Sequence, residues 1–252
     1  MGGRIEVQAL SGAAVDLRTP SPTRISLLPG AIAGVETSYY IQPGGTDYSP
    51  ARHQSRAQVF CFIRGAGKVQ MESMDFDFSE IAACCAPSGG PVVIQATGTP
   101  VEYFEILIEL QPPEIAQLDA KTPYGALYSQ CEPYAEAIKS PKTVSRTIVP
   151  AGTIPRFCMG SVQTEGPDTV GAHSHPMLEQ LFFGLPGNSC VVMADQAEAA
   201  LEDRALLHIP LGSWHGARVE EGRRLHYVWM DFFKQEGDLA YIQAQHQPIR
   251  TP

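Results

Sequence analysis

The chain has 252 residues, 44 % of them hydrophobic and 18 % charged, with a formal net charge of -9. That balance excludes a disordered chain, and the acidity excludes a nucleic-acid partner, because phosphate binding needs a basic surface. No stretch reaches the roughly 18 apolar residues of a membrane span, so no membrane partner is expected.

The opening, MGGRIEVQALSGAAVDL, lacks the charged head and long apolar run of a secretory signal, so the expected location is the cytoplasm. The six cysteines include no C-x-x-C pair and read as buried free thiols of a reducing compartment. Residues 1 to about 35 are polar and proline-punctuated, an N-terminal arm with one strand. Short apolar runs follow at roughly ten-residue spacing: VETSYYIQ, then AQVFCFIR and KVQM about a turn at Arg64-Gly65-Ala66-Gly67, then IAACCA, PVVIQA and VEYFEILIEL. This rhythm predicts an all-β sandwich or barrel.

Residues 111–143 are more polar and read as a connector with two short helical runs, the second broken by Pro133. Strands resume with SRTIVP and FCMGSVQ, ended by Gly166-Pro167-Asp168. After GAHSHPMLEQLFF come SCVVMA and RALLHIP about a turn at Asp195-Gln196. HGARV and LHYVWMDFF then flank Glu220-Glu221-Gly222-Arg223, which predicts a hairpin with Gly222 at positive φ. The tail reads as a loose helix and an extended end.

Chemistry concentrates between Gly171 and His215. His173 and His175 are one residue apart, and in an extended strand that spacing points both imidazoles to one face. Glu179 follows, and His215 closes the run Pro210-x-Gly212-x-x-His215. Three imidazoles and a carboxylate suit one divalent ion of intermediate softness: zinc or manganese first, with iron, nickel or copper also compatible. If Val219 pairs with Arg224 in the hairpin, Ala217 opposes His226 and His215 opposes Val228. His226 and Arg224 then face the cavity with His215. A register slip of one residue would instead turn Tyr227 and Trp229 inward.

At these residues the sequence resembles the cupin superfamily. His173, His175 and Glu179 keep the H-x-H-x3-E core of its first motif, and Pro210, Gly212 and His215 keep the core of its second. Val219 stands where the second motif ends in Asn. Displacing the second half by 122 residues sets His175 on His53, while the other ligand positions fall on Ala51, Ala57 and, one residue further, Val92. The resemblance therefore implies a duplicated cupin, two β-barrel or jelly-roll domains with a short, partly helical connector. The expected boundaries are 1–110 for an N-terminal copy with a degenerate site, 111–143 for the connector, and 144–252 for the metal-binding copy and tail.

The second half is more specifically similar to the 4-deoxy-5-ketouronate isomerases, and more distantly to the 5-deoxyglucuronate isomerases. Ser145 to Pro150, CMGSVQTEGPDTVGAHSH, EQLFF, HIPLGSWHGARV and Tyr227 to Met230 carry that similarity. Those isomerases have one more residue between H-x-H and Glu. The resemblance implies a metal-dependent aldose–ketose isomerisation of a keto-sugar or uronate through an enediolate. His226 is then the expected base, with Glu179 as the alternative, Arg224 the partner of a substrate carboxylate and Trp229 a substrate contact. The same ligands would also serve an oxygen-dependent dioxygenase, a lyase or cyclase, or a non-catalytic sugar-binding protein. A small-molecule substrate and a homo-oligomer complete the expectation.

Overall fold

The computed structural model describes residues 5–10 and 19–238; the loose helix and extended end expected of the tail fall largely beyond 238, outside the described residues. Two compact units emerge, both built of antiparallel sheet as the strand rhythm predicts. The first strand, β1 (Glu6–Ala9), belongs to the C-terminal unit.

The N-terminal unit opens with β2 (Thr23–Leu27), β3 (Val35–Gln42), β4 (Asp47–Tyr48) and β5 (Arg56–Arg64). It continues with β6 (Gly67–Met71), β7 (Met74–Phe78), β8 (Ala82–Ala86), β9 (Val92–Ala96) and β10 (Val101–Glu109). Helix α1 (Pro112–Asp119) and β11 (Tyr124–Leu127) complete it. A six-stranded sheet runs β11-β8-β5-β10-β3-β2, and a four-stranded one β4-β9-β6-β7. Sequence periodicity explains the layering. In β6 and β9 buried and half-buried residues alternate, as one-sided strands do, whereas β5 buries Ala57 to Ile63 without a break. The core between the sheets is aromatic: Phe62 stacks on Phe78 at 4.0 Å and Tyr40 on Tyr103 at 5.0 Å. The predicted turn at Gly65 is present, with φ of 89°.

In the segment expected to connect the two copies, the first helical run is α1, started by Pro112 and by Glu114, whose carboxylate accepts the Gln111 backbone N–H at 2.7 Å. Its second run is not helical beyond a single 3-10 turn at Tyr128–Gln130. From Cys131 onward the chain joins the C-terminal unit, so the segment 111–143 is shared between the units. Likewise the span 1–110 loses β1, a short polar strand whose residues do not reveal which sheet edge they will join.

The C-terminal unit adds β12 (Pro133–Tyr134), β13 (Val144–Ile154), β14 (Phe157–Glu165), β15 (Asp168–His173) and β16 (Leu178–Gly184). Then come β17 (Ser189–Ala194), β18 (Ala197–Glu202), β19 (Ala205–Ile209), β20 (His215–Val219) and β21 (Arg224–Phe233). Seven strands form one sheet, β1-β19-β16-β21-β14-β13-β12, and β15-β20-β17-β18 form the other. Val162, Phe182, Leu207 and Tyr227 from the first meet Val170, Val192, Leu201 and Ala217 from the second in one core.

The predicted hairpin of HGARV and LHYVWMDFF is not formed. Gly222 does take a positive φ of 71°, but the turn there is a corner, with β20 in the small sheet and β21 in the large one. Strands β14 and β15 make the same jump beside it, so β14 pairs with β21 and β15 with β20. The two corners touch: Gly166 N–H donates to the Arg223 carbonyl at 2.9 Å, and a Cβ on Gly166 would overlap the Glu220 carbonyl.

Among the described residues no helix is long and apolar enough to cross a membrane. All six cysteines are buried and free, as their spacing predicts.

Candidate metal centre

The two corners and the β15–β16 turn bring three histidines together. His173 ends β15 directly opposite His215, the first residue of β20, and His175 lies in the turn just beyond. One ring nitrogen from each lies within 4.8 Å of the others, and the His173 and His215 ring centres are 4.4 Å apart. This is the set that His-x-His and the later P-x-G-x-x-H predict.

Backbone carbonyls orient two of the rings. His173 Nδ1 lies 3.0 Å from Gly171 O, and His215 Nδ1 lies 2.9 Å from Ser213 O. A carbonyl can only accept, so each Nδ1 carries a proton and Nε2 is the nitrogen that can offer a lone pair to an ion. His215 Nε2 is buried without a hydrogen-bond partner. Burial, reinforced by neighbouring His173, pushes the His215 pKa down to about 4 and keeps its ring neutral. The buried orphan Nε2 of His215, in a cluster of three imidazoles, fits a bound cation.

His173 and His175 line a cavity that is partly open to solvent. Phe182, stacked on Tyr227 at 4.7 Å, and Trp229 supply its apolar wall. Trp229, the expected substrate contact, lines this cavity. Gly160 makes room for it, since a Cβ there would overlap the indole.

Three other expectations are corrected. Glu179 does not join the histidines. Its carboxylate pairs with Lys234 and lies 3.1 Å from His208 Nε2, on the opposite face of the large sheet. The turn through Pro176 and Met177 resets the alternation, so Leu178, Gln180 and Phe182 point inward instead. His226 also faces away: inward positions on β21 are Leu225, Tyr227, Trp229 and Phe233, because the corner at 220–223 replaces the hairpin on which its inward register depended. Burial and the Arg224 charge depress the His226 pKa to about 4. Arg224 itself sits beside Glu165, at 3.5 Å, opposite it in the β14–β21 ladder.

In their place the cavity holds polar groups that the motifs do not mark. Glu136 and Lys139, three residues apart in the former connector, form an ion pair in its wall. Lys139 Nζ also donates to Ser145 Oγ at 2.9 Å and lies 5.5 Å from the Tyr134 ring centre. Its side chain is only 8 % exposed, and burial holds its ammonium below the ordinary range. A bridge from Lys139 to Val170 fixes this loop against the strand that carries His173. Gln180 and Asp231 complete the set, with Gln180 Nε2 donating to Asp231 Oδ1 at 2.8 Å. Only Asp231 left a trace in sequence, as a lone carboxylate in the apolar run LHYVWMDFF.

No protein-family model matches the chain, and no curated protein does. Solved structures do. A mutant of Bacillus subtilis oxalate decarboxylase aligns with a TM-score of 0.71 at 12 % identity, covering 91 % of this chain and 77 % of that one. Protein Ylba from E. coli gives 0.69 at 13 % identity over 92 % of each chain. A cupin 2 conserved barrel protein from Leptotrichia buccalis gives 0.55 at 13 % identity, covering 85 % of this chain and 89 % of that one. At these identities the likeness speaks for the fold, and the similarity to ketouronate isomerases rests on the sequence motifs alone. The chain is an all-β protein of the cupin fold, with a histidine triad in its C-terminal unit.

Proposed function

We propose that this protein is a metal-dependent enzyme that isomerises a small keto-sugar or uronate by moving a proton between adjacent carbons. The observation that carries the reading is the triad of His173, His175 and His215, in which His215 Nε2 is buried without a hydrogen-bond partner. His173, His175 and His215 would hold the ion. When bound, a divalent cation lowers the cost of negative charge on a carbonyl oxygen and its neighbouring hydroxyl.

The chain's own residues supply the remainder. Glu136 and Asp231 are the carboxylates of the cavity, and a base within hydrogen-bond reach of a substrate C–H is what the reaction needs. Glu136 is the better candidate, because Asp231 is engaged by Gln180 and is 2 % exposed. Lys139, beside Glu136, can stand against charge developing on a substrate oxygen or pair with a uronate carboxylate. Trp229, Phe182 and Tyr227 keep that end of the cavity dry, which strengthens each of these interactions.

The test is proton exchange. Metal-loaded protein incubated with keto-sugars and uronates in D2O should place deuterium on the carbon beside the carbonyl as isomer forms, read by NMR. Glu136→Gln should lower that rate by about 100-fold or more. Oxygen consumption matching product formation, without exchange, would overturn the isomerase reading in favour of oxidative cleavage.

A further inference from the structure

The H-x-H-x3-E spacing names Glu179 as the oxygen donor beside the histidines, yet its carboxylate is engaged with Lys234 and His208 on the far face. The side chain that enters the cavity from β16 is the next one, Gln180. Gln180 is 6 % exposed, and its Oε1 is buried without a hydrogen-bond partner. The amide cannot be reversed without cost. Asp231 only accepts, so Nε2 must face it, and Oε1 is left pointing elsewhere.

The pair has a counterpart in the other unit. Gln58, 122 residues earlier and matched by the displacement that sets His175 on His53, donates from Nε2 to Glu105 Oε1 at 2.6 Å. There Gln58 Nε2 also donates to Ala51 O at 3.1 Å, and Tyr40 OH donates to Glu105 at 2.8 Å. A Gln–carboxylate pair is thus part of the duplicated scaffold. In the unit with three histidines the amide oxygen of the pair, Gln180 Oε1, is buried without a hydrogen-bond partner.

We propose that Gln180 Oε1 is the fourth protein donor of the metal centre, and that Asp231 is a positioning residue that fixes the amide for this role. The inference rests on the metal-centre reading above. It gives the ion four neutral donors, three imidazoles and an amide, so no protein ligand cancels the cation's charge. Such a site favours substrates that bring their own negative oxygen, a carboxylate or an ionisable enediol, over neutral sugars.

The experiment titrates chelator-stripped protein with Mn2+ by calorimetry and with Co2+ by visible absorption, which reports the donor set directly. Wild type should take one ion per chain. Gln180→Leu should weaken binding by about 10- to 100-fold and alter the Co2+ bands, and Asp231→Asn should weaken it in the same direction. Glu179→Gln should leave both readouts at the wild-type values. If Gln180→Leu does not fold, Gln180→Glu, nearly isosteric, should shift the Co2+ bands by substituting a charged oxygen. Equal binding by wild type and folded Gln180→Leu, unshifted bands in Gln180→Glu, or loss of binding in Glu179→Gln would each overturn the inference while the metal centre stands. Wild type that binds no ion would remove both.

Discussion

His226 is buried behind the large sheet, where its ring is depressed to about 4 by burial and by Arg224, against about 6.5 for a free histidine. The unfolded chain therefore binds a proton at this position in a range where the folded chain does not. The contribution is fully present above about 6.5, falls as pH drops toward about 4, and is lost below that. A shift of this size corresponds to at most roughly 3 kcal/mol. Denaturant melts of metal-free protein between pH 7 and pH 4 should show stability falling across that window, and His226→Gln should flatten the slope while leaving metal binding intact. A wild-type slope retained in His226→Gln would show that another group titrates there. His215, depressed by burial and by His173, adds to the acid sensitivity of metal-free protein. The two residues share a shift and differ in role, since only His215 belongs to the histidine triad. A depressed histidine marks burial first, and geometry decides whether it serves a site.

Along the elements, what was legible depended on whether counting by twos crossed a bend. His173 and His175 lie within one extended stretch, and their common orientation followed from spacing alone. Glu179 lies past Pro176 and Met177, and His226 past the corner at 220–223; at both places the turn reset which residues face in. Turn residues announce that the chain bends, but a hairpin and a corner between sheets need the same glycine. The corner has its own signature in space. Gly166 lies against the Glu220 carbonyl, and that approach brings β14–β15 and β20–β21 round the edge together. Gly166→Ala should force the corners apart and destabilise the C-terminal unit by about 2 kcal/mol or more. Because His173 and His215 hang from the strands leaving these corners, metal affinity should fall with it. Gly222→Ala, where a Cβ meets open space and only the positive φ resists, should cost about 1 kcal/mol. A melting comparison of the two variants checks the order; equal losses would refute the close-approach argument.

At the scale of the whole chain, the all-β duplicated architecture was readable because strand rhythm and turn punctuation are local properties. Membership of residues in one unit or the other was not, since a sheet edge recruits whichever strand the chain can bring to it. Glu136 and Lys139 show the same limit: they lie in aperiodic sequence, and only the bridge from Lys139 to Val170 carries them to the cavity. β1 is the clearest case. It pairs over four residues with β19, Glu6 opposite His208 through Ala9 opposite Ala205, and Leu10 N–H donates to Arg204 O at 2.9 Å. Ile5 and Leu10, which flank the strand, are 9 % and 8 % exposed, so the segment brings two buried aliphatic side chains as well as an edge ladder. Burying each is worth about 1.5–3 kcal/mol before the entropy of ordering the segment is subtracted. Deleting residues 1–11 should therefore lower the stability of the C-terminal unit by a few kcal/mol, expose β19 as an edge open to self-association, and spare the N-terminal unit. Hydrogen exchange resolves the two: protection should drop in β19 and β16, while β5 and β10 keep theirs. Unchanged exchange in β19 would mean that β1 adds nothing to the unit it borders. A drop confined to β5 and β10 would place its contribution in the other unit.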